Sequence, residues 1–473
     1  MRKLALLLLV IALTALPLAA QNVDIEALSG LQFNFGNPGA RSLGMGGAFL
    51  GLADDASAAE ANPAGLTILR KPEVSLELRN FVEEQSFTTS GTFPEINRTA
   101  FTHHSDAAVV SFASIVYPIK QFTFGLYYHE PLNNEGGGVV APQEDDFTGQ
   151  ITPLPDFYMP TERIPGTNDV KYLGGPITRA ECLARRQQLN DPFACIQNSV
   201  NPFISALSVR QRTFGIAGAW QVHPRFSVGV TARHQRFQER AATLRYNSRF
   251  QLQQIIVQAT AETSEGDEVE LVEETDTTFS VGFKWSPTDW MSVGGVYKQG
   301  PEFDAPVFYA DINTGLEFIP PVPTTFHSPD IAGLGVSFRP IPSLTINADA
   351  VSVKYSTLVD NFVAVTPGVG DIAEPFVADD VVELRFGAEY LFPTRIPIAL
   401  RAGYWQDPAH AVKWNGPLND PNFVAEALLF PGGEDQEHYT IGAGLAWPRF
   451  QIDVAYDTSD TYKVGSISMV TRF

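Results

Sequence analysis

Two cysteines in 473 residues, 32 basic side chains against 53 acidic ones, and no long apolar run beyond the first twenty residues are the shortages that first narrow this sequence. Two cysteines exclude a multi-bridge disulfide framework and a cysteine-rich four-ligand zinc site. A formal charge of −21 with no clustered Lys or Arg excludes a phosphate-binding footprint, so no nucleic-acid partner is expected. A spanning helix needs roughly 18 or more consecutive apolar residues, and none is present after the start. No Gly-Lys-Ser/Thr occurs either, and the glycines of 36–47 lack a strand-turn-helix context, which argues against a nucleotide loop.

The first twenty residues hold the one long apolar stretch. Arg2 and Lys3 precede Leu4 to Leu16, and Pro17-Leu18-Ala19-Ala20 offers a small residue for cleavage before Gln21. A charged segment, an apolar segment and a cleavage site in that order read as a secretory signal peptide, residues 1–20.

The 44% hydrophobic content is hidden by alternation. Tyr439, Ile441, Ala443, Leu445 and Trp447 form one face of a run whose other face is Thr440, Gly442, Gly444 and Ala446. Phe450, Ile452, Val454 and Tyr456 alternate with Gln451, Asp453, Ala455 and Asp457. Charge on every second residue of an otherwise apolar strand is too costly to face lipid, so that face looks into a polar lumen and the apolar face into the membrane. Phe226, Val228, Val230; Phe279, Val281, Phe283, Trp285; and Val382, Leu384, Phe386, Ala388, Tyr390, Phe392 repeat the pattern.

Six aromatic–proline junctions punctuate these runs: Tyr117/Pro118, Trp220/Pro224, Trp285/Pro287, Phe338/Pro340, Phe392/Pro393 and Trp447/Pro448. Aromatics at one membrane interface with very short turns are what a transmembrane β-barrel requires there. The runs are 72–81, 106–117, 121–131, 209–222, 226–240, 276–286, 291–300, 330–339, 344–358, 380–392, 396–406, 438–447, 450–458 and 461–473. They predict an all-β fold, a 14-stranded antiparallel transmembrane barrel over 72–473, with periplasmic turns at the prolines and long extracellular loops opposite. A soluble propeller would need four short strands per repeat, whereas each interval here holds two long runs. The last strand ends in Phe473, similar to the terminal signal by which outer-membrane barrels engage the assembly machinery. Acid gathers in the loops at Glu144-Asp145-Asp146, Glu265 to Glu274 and Glu434 to Glu437. These read as solvated surfaces, with bridging to lipopolysaccharide through divalent cations as the functional option.

Cys182 and Cys195 lie in the longest loop, and a lone pair in an exported chain reads as one disulfide. The stretch Thr178 to Leu189 reads as helical, so this loop is expected to fold as a small extracellular cap. His103-His104 has no third ligand nearby, and adjacent strand residues face opposite sides, so no metal site is expected. Ser105 beside His104 is not a triad, which is a spatial arrangement. No enzyme, cofactor or catalytic residue is read. The inward charges Arg233, Asp349, Glu383, Arg385, Glu389, Arg401 and Asp453 are expected to form a network holding a plug in the lumen.

Residues 21–71 supply that plug. They are rich in small residues that allow close backbone packing, with a short helix that Asp54 or Asp55 could cap and an Asn-Pro stop. Asp54-Asp55-Ala56-Ser57 followed by Asn62-Pro63-Ala64-Gly65-Leu66 resembles the hatch of the outer-membrane long-chain fatty-acid transporter family, FadL/TodX. The resemblance implies a fourteen-stranded barrel with an N-terminal hatch and passive uptake of hydrophobic molecules such as long-chain fatty acids or aromatic hydrocarbons. Ligand would be captured by extracellular loops, passed to an apolar pocket against the hatch, and released by rearrangement of hatch or wall. It carries Asn62, Pro63 and Ala64 over as the hatch motif. Leu31, Phe33 and Phe35 make an apolar hatch start, with Phe33 and Phe35 as candidate ligand contacts or ordinary hatch packing. The stretch Ala40 to Phe49 also resembles the PorV branch of the superfamily, whose barrels serve type IX protein secretion and attachment. The partners expected are a hydrophobic small molecule, outer-membrane lipid and lipopolysaccharide, and the barrel-assembly machinery, around a monomer in a Gram-negative-type outer membrane.

Overall fold

A computed structural model describes residues 32–88, 99–140, 143–144, 151–152, 156–167, 169–199, 202–246, 251–263, 269–311, 325–359, 364–366, 370–372, 376–430 and 432–473. The proposed signal peptide, Gln21 to Leu31, and Asp145, Asp146 and Glu265 of the acidic loops lie outside the described residues.

Fourteen strands close into one barrel: β1 (Glu73–Thr88), β2 (Thr99–Ile119), β3 (Phe122–Val140), β4 (Phe203–His223), β5 (Phe226–Tyr246), β6 (Glu274–Thr288), β7 (Met291–Lys298), β8 (Ile331–Ile341), β9 (Leu344–Val353), β10 (Val381–Phe392), β11 (Ile398–Asp407), β12 (Gln436–Ala446), β13 (Phe450–Thr458) and β14 (Tyr462–Arg472). Each pairs with the next, antiparallel throughout, and β14 returns to β1 through Glu73↔Arg472 to Glu83↔Tyr462. All fourteen expected runs overlap these strands, although the run 344–358 overshoots β9 into a 3-10 turn at Tyr355–Val359. At the proline end the turns shrink to two residues at 120–121, 224–225, 289–290 and 342–343. Phe473 N–H donates to the Pro72 carbonyl at 3.1 Å, so the last strand finishes beside the first at this same end.

The side-chain pattern marks the height of the membrane. On the outward face of β5, Phe226, Val228, Val230 and Ala232 give way to His234, Arg236, Gln238 and Arg240. The hydrocarbon band therefore ends near residue 233 on this strand, and what lies above stands outside it on the long-loop side. Exposed Trp220, Trp285, Trp290, Phe338 and Phe392 form the girdle at the proline end. Asp453 and Asp457 point inward and are buried, as the alternation of β13 requires.

The structure differs from the sequence expectation in strand length. β4 and β5 span 21 residues each, because above the membrane they keep pairing with each other and β5 adds a further strand, 252–259. Outward residues turn polar there, so the lipid-facing half of the alternation fades while the inner apolar residues Leu207, Val209, Phe237 and Ala241 continue. The β13–β14 connection at the long-loop end, residues 459–461, is also about as tight as the turns at the proline end.

Above the barrel, the β3–β4 loop folds as a small cap. Helix α3 (Arg179–Leu189) starts with Thr178, whose hydroxyl accepts from Glu181 N–H while the Glu181 carboxylate accepts from Thr178 N–H. That reciprocal pair satisfies two free backbone donors of the first turn. Cys182 on α3 is bonded to Cys195, with Cα atoms 5.5 Å apart, tying the helix to the strand 195–199. Phe157, Met159 and Phe203 pack with Phe376, Val412, Val424 and Phe430, so loops from three parts of the barrel share one apolar core.

Candidate functional site: the hatch and the chamber above it

Residues 38–69 lie inside the lumen as a chain of short turns: α1 (Ala40–Leu43), α2 (Ala58–Ala61) and a 3-10 turn over Pro63–Ile68. None is long enough to hold itself together in isolation, so wall contacts must stabilise the hatch. Its small residues Ala40, Ala48, Ala53, Ala56, Ala58, Ala59, Ala61 and Ala64 are wholly buried. The wall is matched to them. A side chain at Gly229 would collide with Pro63 and Ala64, and one at Gly294 with the Leu50 carbonyl and the Asn62 amide. Glycine is the residue that permits two backbones to approach this closely.

Charged and polar wall groups then fix the plug. Asp349 Oδ2 accepts from the N–H groups of Phe49 at 2.7 Å and Leu50 at 2.8 Å. Lys284 Nζ and Ser292 Oγ both donate to the Gly51 carbonyl, at 2.8 and 2.7 Å. Glu389 receives a two-pronged contact from Arg41 of the hatch, each bond 2.9 Å, and a 2.7 Å bond from Arg401. Arg401 also lies 2.8 Å from Asp453. On the opposite side Glu60 of α2 sits 3.0 Å from Lys298 Nζ and 3.5 Å from Arg233, with Tyr127 donating to it. Buried charges are tolerated only when paired in this way. All seven inward charges foreseen from the sequence line the lumen, and Arg385 completes the set by pairing with Glu383.

Asn62 sits at the centre of the motif and is fully buried. Its amide donates to the carbonyls of Leu50 and Phe283, each at 3.1 Å, and its Oδ1 accepts from Ala64 N–H at 3.3 Å. It therefore caps the turn that follows, begun by Pro63, as well as ending α2. The capping expected of Asp54 or Asp55 takes another form. Asp55 Oδ1 binds the N–H and hydroxyl of Ser57 within the preceding turn, and Asp54 binds Arg41 and Arg339. Ala64 passes its carbonyl to Ser227 Oγ at 2.9 Å.

Above the hatch, residues 32–37 run extended into a packed apolar cluster, an aromatic chamber that Phe33 helps to fill. Phe33 is buried and meets Phe326 edge-on at 6.1 Å; its carbonyl accepts from the Tyr355 hydroxyl at 2.7 Å. Phe35 is only partly buried beside Tyr355. Phe237 stacks on Phe303 and Phe326 at 4.7 and 4.5 Å. Leu132, Leu207, Val209 and Val351 complete the lining.

The wall of this chamber is not uniform. The β2–β3 ladder runs from Phe112↔His129 to Ile119↔Phe122 and stops, although β2 continues along β1 to Thr88↔Thr99 and β3 along β4 to Val140↔Phe203. Between the upper halves of β2 and β3 a seam is left. Pro131, which has no N–H to give, stands at its base, where β3 also shifts register against β4. Phe33, Phe81, Pro131, Leu132 and Tyr462 line one narrow cavity beside it together with Asn34, Glu83, Asn133 and Asn134, so its lining is mixed.

Sequence reasoning missed Glu60 with its partners Lys298 and Tyr127, Lys284, and the seam. Lys284 was legible, since the outward set Phe279, Val281, Phe283 puts Ser280, Gly282 and Lys284 inside. Glu60 was not, because its cations come from β5 and β7. The side chains of His103 and His104 lie outside the described residues, and among the described residues no group of His, Cys, Asp and Glu is arranged to hold a metal.

A closed antiparallel barrel with a lipid-facing apolar belt and a lumenal hatch defines an outer-membrane β-barrel of the transporter class. The chain belongs to the outer membrane protein transport protein family (OMPP1/FadL/TodX), whose model matches residues 203–466. Its fold is similar to that of a Pseudomonas aeruginosa FadL homologue, with TM-score 0.57 and 16% identity over 94% of this chain and 100% of that one. The Ralstonia pickettii toluene transporter TbuX gives 0.54 and 15% over 93% and 100%, and the P. putida toluene transporter TodX 0.54 and 15% over 93% and 99%. At such identities the likeness speaks for the fold. No curated protein matches the sequence.

Proposed function

We propose that this barrel takes up hydrophobic molecules, such as long-chain fatty acids or aromatic hydrocarbons, into a Gram-negative-type outer membrane without catalysing any reaction. The observation that carries this reading is the packing of Phe33 with Phe237, Phe303 and Phe326 into one apolar cluster that reaches Leu132 at the β2–β3 seam. A ligand captured by the loop cap enters the chamber by displacing the extended segment 32–37, so that it exchanges contacts with Phe33 and Phe35. Burial of its apolar surface drives the step. It then leaves sideways past Pro131, while the hatch, tied to the wall below, keeps water and ions from passing.

Purified protein in lipid vesicles should bind a labelled fatty acid or aromatic hydrocarbon and speed its transfer. Leu132→Glu, which puts a charge on the exit surface, should slow transfer at least tenfold while leaving binding within a few-fold. Deleting residues 21–61 should leave a folded barrel that binds such amphiphiles far less well. If the native protein interacts with no such ligand and instead co-purifies with secreted polypeptides, the PorV-like secretion role replaces this one.

A further inference from the structure

The inner face of β5 shows a graded series of commitments. Arg233 is paired with Glu60. Gln235 accepts from Gln211 at 2.7 Å and donates to Thr278 at 2.8 Å. Phe237 is stacked between Phe303 and Phe326. Two residues above it, on the same face and therefore about 7 Å away, Glu239 is fully buried with both carboxylate oxygens lacking any hydrogen-bond partner. Its neighbours are Val209 across the β4 ladder and Ala241 along the strand, both apolar and buried. Only its backbone is engaged, through Thr260.

Among the described residues no cation is placed to neutralise it. Lys298 serves Glu60, Arg385 serves Glu383, Arg401 serves Glu389 and Asp453, and Lys284 holds the Gly51 carbonyl. Arg240 points outward. Glu239 stands above the hydrocarbon band, and burial alone pushes its carboxyl up to about 8, so at neutral pH it is an uncharged acid that can both donate and accept. A leucine here would avoid the desolvation cost of an unpaired polar group, and such groups in native interiors call for an explanation.

We propose that Glu239 is the specificity-determining group of the aromatic chamber, taking the hydroxyl of a long-chain alcohol or alkylphenol and disfavouring carboxylate anions. The proposal rests on the uptake of hydrophobic molecules proposed above and narrows its ligand class, away from ionised fatty acids and toward neutral hydroxylated amphiphiles. With segment 32–37 displaced, an alkyl or aryl body replaces Phe33 against Phe326 and extends along the stacked Phe237 and Phe303, and the hydroxyl meets the acid one step higher. A carboxylate placed there would meet no cation and a group that could only become like-charged. An ammonium would require an ionised Glu239 and a buried ion pair, whose desolvation offsets the attraction.

The test compares 1-dodecanol, dodecanoate and dodecane, which share one chain, by competition against a fluorescent probe on the full-length protein in nanodiscs at pH 7. The native protein should bind dodecanol several-fold to about tenfold tighter than dodecane, as one buried hydrogen bond allows, and tighter than dodecanoate. Glu239→Leu should bring dodecanol to within twofold of dodecane without weakening dodecane. Glu239→Gln, which still donates and accepts, should keep the preference. Glu239→Met serves if the leucine variant fails to show the heat-modifiable band of a folded barrel. Equal binding of all three by the native protein, or an alcohol preference unchanged in the apolar variant, overturns the role of Glu239 and leaves uptake standing. Binding of none of the three overturns the uptake reading, and this proposal with it.

Discussion

Replacing Asn62 by alanine should unseat the hatch without unfolding the barrel. The side chain makes three hydrogen bonds in a site with no access to water: two donated, to Leu50 O and Phe283 O, and one accepted from Ala64 N–H. Removing it leaves buried partners unsatisfied at about 1–3 kcal/mol each, and because the three are not independent, roughly 2–5 kcal/mol is a fair total. That range corresponds to a thirtyfold or larger rise in the displaced population of a locally stabilised element. The barrel ladder does not depend on it, since the β5–β6 and β6–β7 pairings are made by backbone groups of the strands themselves. In planar-bilayer recordings the variant should open at least ten times as often as native protein, with the heat-modified gel shift unchanged. Asn62→Asp is a sharper case. It keeps an oxygen to cap Ala64 but sets an anion against two carbonyl oxygens, so it should open more often than the alanine variant. Opening frequencies indistinguishable from native in both variants would show that the hatch is held by the charge pairs and packing alone.

Two further predictions concern the extracellular side. Cys182→Ser with Cys195→Ser should leave the barrel folded while the loop cap becomes markedly more protease-sensitive, since closing a loop of this length contributes on the order of 2–3 kcal/mol; two free thiols in the non-reduced, denatured native protein would contradict it. His410 is buried in the β11–β12 loop, stacked on Tyr355 at 3.8 Å, and burial pushes its imidazole down. Asp407, 3.3 Å from Nδ1, and the Pro408 carbonyl at 2.9 Å outweigh that and raise it above the ordinary value of 6.5. Because the folded form binds the proton more tightly, its stabilisation is complete below pH about 6.5 and is lost as pH rises through the higher folded value. Hydrogen exchange around 408–412, corrected for intrinsic rate, should therefore show protection falling toward alkaline pH, and His410→Gln should be flat across the same range.

How much of this was legible depends on the distance over which each feature is specified. Strand number, sidedness and the identity of lipid-facing residues were read from periodicity, because a strand places successive side chains on opposite faces whatever its partners are. The same rule put Asp349, Glu389, Arg401 and Asp453 in the lumen before any partner was known. The Asn62-Pro63 turn was also local, although its Asn proved to reach a wall carbonyl 221 positions away. Three features needed the closed barrel. Glu60 is charged in sequence but neutral in role only because β5 and β7 bring Arg233 and Lys298 to it. Gly229 and Gly294 look like weak points in two strands until hatch backbone is seen against them. Glu239 reads as one more inward polar residue of an alternating run; only the folding of the β7–β8 loop, which brings Phe303 and Phe326 against Phe237, shows it buried in apolar surroundings. Alternation is a property of the chain and survives in the sequence. Pairing, close approach and isolation are properties of closure, which brings residues hundreds of positions apart within hydrogen-bonding reach.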